Sequence, residues 1–322
     1  MSAAFDLLVV GDINPDVVLR GAPRELAFGQ AEQLAEGAAL GLGGSAAITA
    51  CAAARLGLRT AIVGAVGDDA AGRLALGELT RRGVDTSGVG IIAGRPTGLT
   101  VHVLGSGDRA MITARGTIDD LEVAAVPQAL VSTSRHLHAA SFYLQPRLAP
   151  GLRGLFDAAH AAGATTSLDL NWDPDERWQG GLAELLPAVD VLFVNAAEAA
   201  GVSGAGDPTV AATVLAARGP LPVVKLGSSG AVAHDGCRLV RVEAPAVDVV
   251  DTVGAGDSLD AGFLYGRLSG WDVGRSLALG VVCGSLSVRG SGGVEAQPSR
   301  AEAEAAMAGL LPIGEAIEEC GR

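Results

Sequence analysis

Aromatic residues are scarce, at 3% of the 322 positions. Single-stranded nucleic acids are held by stacking on such rings, so the scarcity argues against that class of ligand. Basic residues are also few: 23 Lys and Arg stand against 36 Asp and Glu, a formal net charge of −13. A surface of that sign repels a phosphate backbone and excludes nucleic acid as an expected partner. The charge itself serves solubility, and a nucleotide can still bind where local donors and a divalent cation handle its phosphates. The four cysteines, Cys51, Cys237, Cys283 and Cys320, are widely scattered with no CxxC or CxxH spacing. Neither a zinc site nor a disulfide framework is supported. No apolar run of about 18 residues occurs free of breakers, so no membrane span is expected. The start, MSAAFDLLVVGDINPD, lacks the basic n-region of a signal peptide, and the cytoplasm is the expected location. The P-loop, nucleophile-elbow and HExxH patterns are absent.

What is present is a chain 49% hydrophobic, mostly Ala, Val and Leu, long enough for one large α/β domain with an embedded subdomain. Phe5 to Val10 and Thr60 to Val66 read as buried strands. Ser45 to Leu56 reads as an Ala-rich helix with Ser45 as N-cap and Gly57 as stop. Between them, Asp12 to Gly37 reads as a polar segment. Leu99–Leu104 and Arg109–Ala114 alternate apolar and polar side chains around the turn residues Gly105 to Asp108, which predicts a β-hairpin. Apolar runs at 136–140, 166–170, 191–194 and 223–226 then alternate with helical segments, the βαβ rhythm of a mostly parallel sheet covered on both faces. Helices are expected near 257–268, 273–288 and 300–310. Ligands in such a sheet sit beyond the carboxyl ends of the strands, which directs attention to 12–16, Asn171, Asn195, 227–230 and 251–257.

The most informative segment is DTVGAGDS, residues 251–258, followed by Ala261, Leu264, Tyr265 and Leu268 at helical spacing. Gly254, Ala255 and Gly256 let backbone amides approach an anion, and the dipole of a helix starting at about Asp257 faces the same point. Asp257 is then a first-turn or capping carboxylate beside bound phosphate; a plain turn and cap would use the same residues. The segment Gly41–Ala46 matches GxGxxA, but it lies some thirty residues from the nearest clear strand end, so a glycine-rich helix entry touching a polar ligand fits it better than a dinucleotide fingerprint. His136 and His138 sit on a predicted strand and read as packed side chains.

Together these segments resemble the ribokinase/PfkB family of carbohydrate kinases over essentially the whole chain. GGSAAITACAAARLG resembles its N-terminal signature, DTVGAGDSLDAGFLYG its C-terminal signature, Asn195–Glu198 its NxxE element, VVKLGSSGA its nucleotide-contacting strand and turn, and SVRGSGGVEAQP the segment near the adenine pocket. The resemblance implies a ribokinase-like three-layer α/β fold. A large catalytic domain is expected over 1–12, 38–95 and 118–322, and a β lid over 13–37 and 96–117. It implies ATP-dependent phosphorylation of a hydroxymethyl group, with Asp257 as base and Gly254, Ala255 and Gly256 as anion hole. Asn14, Asp16, Gly43 and Gly44 would bind a sugar, and Asn195, Lys225, Gly227 and Gly230 the nucleotide. Glu198 with Asn195 would hold Mg²⁺ through water, Asp251 and the Val253 carbonyl K⁺, and the lid would form a homodimer. The chain departs from the family at Ile48, at Ser45 and Ala46, at Phe142 or Tyr143 in a predicted strand near the sugar, and at Lys225, where ribokinase has Thr. Lys225 either meets phosphate or points outward, and the second is favoured. The alternatives are a nucleoside kinase, which the low aromatic content disfavours, a nicotinamide-dependent dehydrogenase and an inactive sugar-binding regulator.

Overall fold

The computed structural model describes residues 3–23, 25, 27–30, 32–105, 109–308, 310 and 313–316. Among these, ten strands form one sheet in the order Ile313–Ala316, Arg238–Val242, Ala231–His234, Leu221–Lys225, Val191–Asn195, Thr165–Asp169, His136–Ala139, Leu7–Val10, Thr60–Gly67 and Asp85–Ile92. From Leu221–Lys225 to Asp85–Ile92 every neighbouring pair is parallel, and the pairings at the opposite edge are antiparallel. Alternation along Leu7–Val10 shows why these strands read as unbroken apolar runs. Leu7 and Val9 enter one core with Ile62 and Phe263, while Leu8 and Val10 enter another with Val63 and Phe156. Helices Ser45–Arg55, Ala255–Leu268 and Val273–Ser287 cover the first face, and Leu152–Ala161 and Pro208–Ala216 cover the second. Burial on both faces favours apolar side chains in mid-strand, and the polar exceptions His136, His138 and Ser167 bond to one another.

A second sheet of four strands, Gly37–Gly43, Asn14–Arg20, Leu99–Leu104 and Arg109–Ala114, stands over the carboxyl edge of the first. The last two strands form the predicted hairpin, in register from Leu99 opposite Ala114 to Leu104 opposite Arg109. Its turn residues Ser106–Asp108 lie outside the described residues. Asn14–Arg20 falls inside the segment read as merely polar. Its polarity belongs to Asn14 and Asp16, which face a cleft rather than bulk water, and this masks the strand. Phe142–Leu144, predicted as strand, is a 3₁₀ turn entered by Ser141 at φ 60°.

His136 and His138 are packed, as expected. Ser167 Oγ lies 2.7 Å from His136 Nε2 and from His138 Nδ1, and burial pushes the two imidazoles down to about 3 and about 4. Cys51 and Cys283 are buried free thiols. Cys237 is disulfide-bonded, which corrects the expectation of no bridge; spacing along the chain does not report which cysteines meet in space. Among the described residues no helix is long and apolar enough to cross a membrane.

Candidate active site

The carboxyl ends of four parallel strands deliver Asp12, Asp169, Asn195 and Lys225 to one cleft of about 1400 Å³. Asn14, Asp16, Thr100 and His102 of the second sheet line the opposite wall, and the turn from Val253 to Asp257 lines its floor. Gly44, Glu198, Gly227 and Gly230 also line it.

The helix predicted to begin at about Asp257 begins two residues earlier, at Ala255, with Gly254 as N-cap at φ 73°. Glycine adopts that backbone without strain. A Cβ there would also lie 2.7 Å from Gly293 Cα. Ser258 N makes the first intrahelical bond, to Gly254 O at 2.9 Å, so the amides of Gly256 and Asp257 precede the ladder and stand at the positive end of the helix. This is the geometry of an anion site.

Asp257 is the third residue of that helix, and its carboxylate accepts a hydrogen bond from Ser45 Oγ. Ser45 is not the N-cap of its own helix. Gly44 at φ 85° takes that place, and Asp12 closes the helix from outside by accepting from Ser45 N and Ala46 N at 3.0 Å each. The serine hydroxyl is thereby released toward Asp257. Desolvation and the neighbouring Asp169 push the Asp257 carboxyl up to about 7, against the pull of Lys225 and the Ser45 hydroxyl. A carboxyl so tuned exchanges a proton readily near neutral pH.

Lys225 does not point outward. Its Nζ lies 2.7 Å from Asp169 Oδ2 and 3.2 Å from Asp260 Oδ2. The strand end aims the side chain along the sheet edge, where an unpaired ammonium would be costly and two carboxylates compensate it. Burial opposes ionisation of Asp169, but Lys225 and hydrogen bonds from Asp260, Lys225 and the Asn171 amide hold it at about 2. Burial raises Asp260 well above the ordinary carboxylate range. Asp169, Asp257 and Asp260 present oxygens within 4.8 Å of one another, and the ammonium supplies the counter-charge in this cluster.

Asn195 and Glu198 form a capping box. Asn195 Oδ1 accepts from Ala197 N and Glu198 N at 2.9 Å, and Glu198 Oε2 accepts from Asn195 N at 2.9 Å. The NxxE element is thus first a helix-start device. Burial and Asp169 push Glu198 up to about 7. Both Glu198 oxygens accept from Asn195, one from its backbone amide and one from its side-chain Nδ2, and each has a further lone pair, so the pair could hold one water-bridged divalent cation. Asp251, buried behind the turn, accepts from Val253 N at 3.0 Å and Gly292 N at 2.9 Å.

On the second sheet Asp16 Oδ1 accepts from Asn14 Nδ2 at 2.9 Å, and Asp16 Oδ2 is 3.0 Å from His102 Nε2. Gly43 pairs opposite Asn14, and a Cβ at Gly43 would collide with the Asp16 carboxylate. The glycine gives that side chain its place. Tyr143 and Trp172 also line the cleft. With Phe142 and Trp178 they form an edge-to-face chain whose successive ring centroids are 5.0, 5.8 and 5.0 Å apart.

Residues 4–300 match the pfkB family carbohydrate kinase description. The chain is a member of that family. The kinase is 33% identical over 314 residues to an ATP-dependent ribose-1-phosphate kinase of Halopiger xanaduensis, covering 94% of this chain and 97% of the relative. It is 31% identical to fructoselysine 6-kinase of Escherichia coli over 77% of this chain and 89% of that one. Its fold is ribokinase-like. Arabidopsis thaliana ribokinase complexed with ribose and ATP superposes with a TM-score of 0.80 at 24% identity, covering 96% of this chain and 99% of the other. Adenosine kinase from Sinorhizobium meliloti superposes with a TM-score of 0.82 at 27% identity over 94% and 99%. Family membership removes the dehydrogenase reading of Gly41–Ala46, whose glycines end a strand of the second sheet. Sequence reasoning flagged Asp12 only by position, without its capping role, and missed His102, Asp169 and Asp260 in this kinase. Asp169 ends an apolar run, and Asp260 follows Asp257 by one helical turn, signals that were available.

Proposed function

We propose that the kinase transfers the γ-phosphoryl group of ATP to a hydroxymethyl group of a sugar or sugar-like acceptor, with Asp257 as catalytic base. The carrying observation is the Asp257 carboxyl beside the Gly254–Gly256 turn at the start of a helix. The acceptor hydroxyl gives its proton to Asp257 as its oxygen bonds to γ-phosphorus, and the bond from γ-phosphorus to the bridging oxygen of ADP breaks. Gly254, Ala255 and Gly256 hold the phosphoryl oxygens. Asn14 and Asp16, with Gly43 and Gly44, hold acceptor hydroxyls, and Asn195, Lys225, Gly227 and Gly230 the nucleotide. Asn195 and Glu198 would hold Mg²⁺ through water, and the ion supplies charge neutralisation to the β- and γ-phosphates. Asp251 and the Val253 carbonyl are offered as a K⁺ site; equal turnover in K⁺ and in tetramethylammonium would remove it.

The segments 13–37 and 96–117 act as a lid on the rest of the chain. Leu40, Met111 and Ile112 on its strands are 60%, 52% and 57% exposed, an apolar surface that fits a homodimer through the lid. Light scattering at micromolar concentration tests this, and a monomer contradicts it.

A nucleoside acceptor is the second reading, favoured by one observation. The scarce aromatics are not spread evenly, and Tyr143 and Trp172 both line the cleft, linked through Trp178. A coupled ADP-release assay over sugars, sugar phosphates and nucleosides decides between the readings. No ADP release with any of them would contradict both.

A further inference from the structure

The chain has 23 basic residues other than histidine, and 22 of them are arginine: Lys225 is its single lysine. The side chain is 12% exposed, ends among carboxylates and lines the cleft. A planar guanidinium fork and a compact ammonium are not interchangeable at such a point. The space is narrow, since a Cβ built on Gly256 would lie 3.3 Å from Lys225 Nζ. The lysine head therefore rests against the glycine turn that begins the Ala255–Leu268 helix.

An ammonium has three N–H donors. Asp169 Oδ2 takes one at 2.7 Å, and the Asp260 oxygens share a second at 3.3 and 3.2 Å. The third is used by neither carboxylate. Lys225 also lines an adjoining recess of about 520 Å³ together with Asn195, Gly227 and Ser229. Its head thus stands where the glycine turn and the nucleotide-side residues converge.

We propose that Lys225 recognises the γ-phosphoryl group of the bound nucleotide, as an ammonium held against the Gly254–Gly256 turn by Asp169 and Asp260. The inference rests on ATP as the phosphoryl donor. Asp169 and Asp260 offset the ammonium's charge and fix its position before the phosphate arrives. A pre-oriented donor need not reorganise on binding. Catalysis by Asp257 and phosphate recognition by Lys225 are then separate tasks on adjacent residues.

The single lysine makes the test direct. Protein grown with lysine carrying ¹³C at Cε gives one side-chain signal. Magnesium with the non-hydrolysable analogue adenylyl imidodiphosphate is expected to move that signal, and magnesium with ADP to leave it in place. Lys225→Met is expected to weaken the analogue at least about tenfold, the scale of one charge-assisted hydrogen bond, and ADP by less than about twofold. That variant leaves Asp169 without its cation and can fail to fold. The double variant Lys225→Met/Asp169→Asn removes the cation together with its nearest carboxylate and carries the same comparison. The proposal is overturned if both nucleotides move the signal equally or neither does, or if the variants weaken both alike. Failure of the wild type to bind either nucleotide overturns the ATP reading with it.

Discussion

The Ser45 hydroxyl donates to the Asp257 carboxylate, 212 residues further along the chain, and so joins two glycine-led helix starts. The bond favours the ionised carboxylate, in opposition to the desolvation that lifts Asp257 to about 7. A base must be ionised to act, so kcat/KM should rise with pH and level off above about 7. Ser45→Ala removes a lowering influence, and the acid limb should move to higher pH while the plateau changes less. A pH–rate profile on both proteins checks this, and an unmoved limb would separate Ser45 from the base.

Folding stability should carry the same signature. Asp257 and Glu198 each hold their proton more tightly in the fold, at about 7, than the ordinary carboxylate does. A raised folded-state value contributes stability that is full below the unfolded value near pH 4 and is lost as pH rises through 7. The ligand-free protein should therefore lose Tm between about pH 4 and pH 7 and level off above that, and Asp257→Asn should flatten the fall. Parallel melting curves for wild type and variant would speak against these shifts.

Chelation should abolish turnover and added Mg²⁺ restore it. Glu198→Ala should raise the Mg²⁺ concentration for half-maximal rate and also lower Tm, because it opens the capping box with Asn195, worth about 0.5–2 kcal/mol. Magnesium titrations of both proteins give the comparison. Full turnover without a divalent ion would end the assignment.

Asp16→Ala should weaken acceptor binding by about 1.5–3 kcal/mol, the range of a hydrogen bond to a charged group, and leave ATP affinity near wild type. Asp16 lies against Asn14 and His102 on the second-sheet wall of the cleft. Calorimetry with each ligand separates the effects. A loss confined to ATP would place Asp16 wrongly.

Much of this architecture was legible because each parallel strand is buried on both faces, which turns burial into unbroken apolar runs such as Leu7–Val10. The glycine turn was legible for a related reason, since Gly254 holds a positive φ that the sequence advertises. The strand Asn14–Arg20 was not, because its polar residues face a cleft and local polarity cannot distinguish cleft from solvent. The role of Ser45 was hidden by Asp12, 33 residues earlier, which does the capping in its place. Lys225 was misjudged as pointing outward because its partners, Asp169 and Asp260, lie 56 and 35 residues away. Composition likewise understated the aromatics, since an average cannot show that Phe142, Tyr143, Trp172 and Trp178 meet.

The most direct test of the account is the turnover of purified Asp257→Asn, measured beside its ATP affinity. The amide keeps the size of the side chain at the third helix position but cannot take the acceptor's proton. General-base catalysis contributes about 10²–10⁴-fold, so kcat should fall at least about a hundredfold while ATP binding stays near wild type. A stable Asp257→Asn protein that binds ATP and turns over at close to the wild-type rate would contradict the assignment of Asp257 as the base.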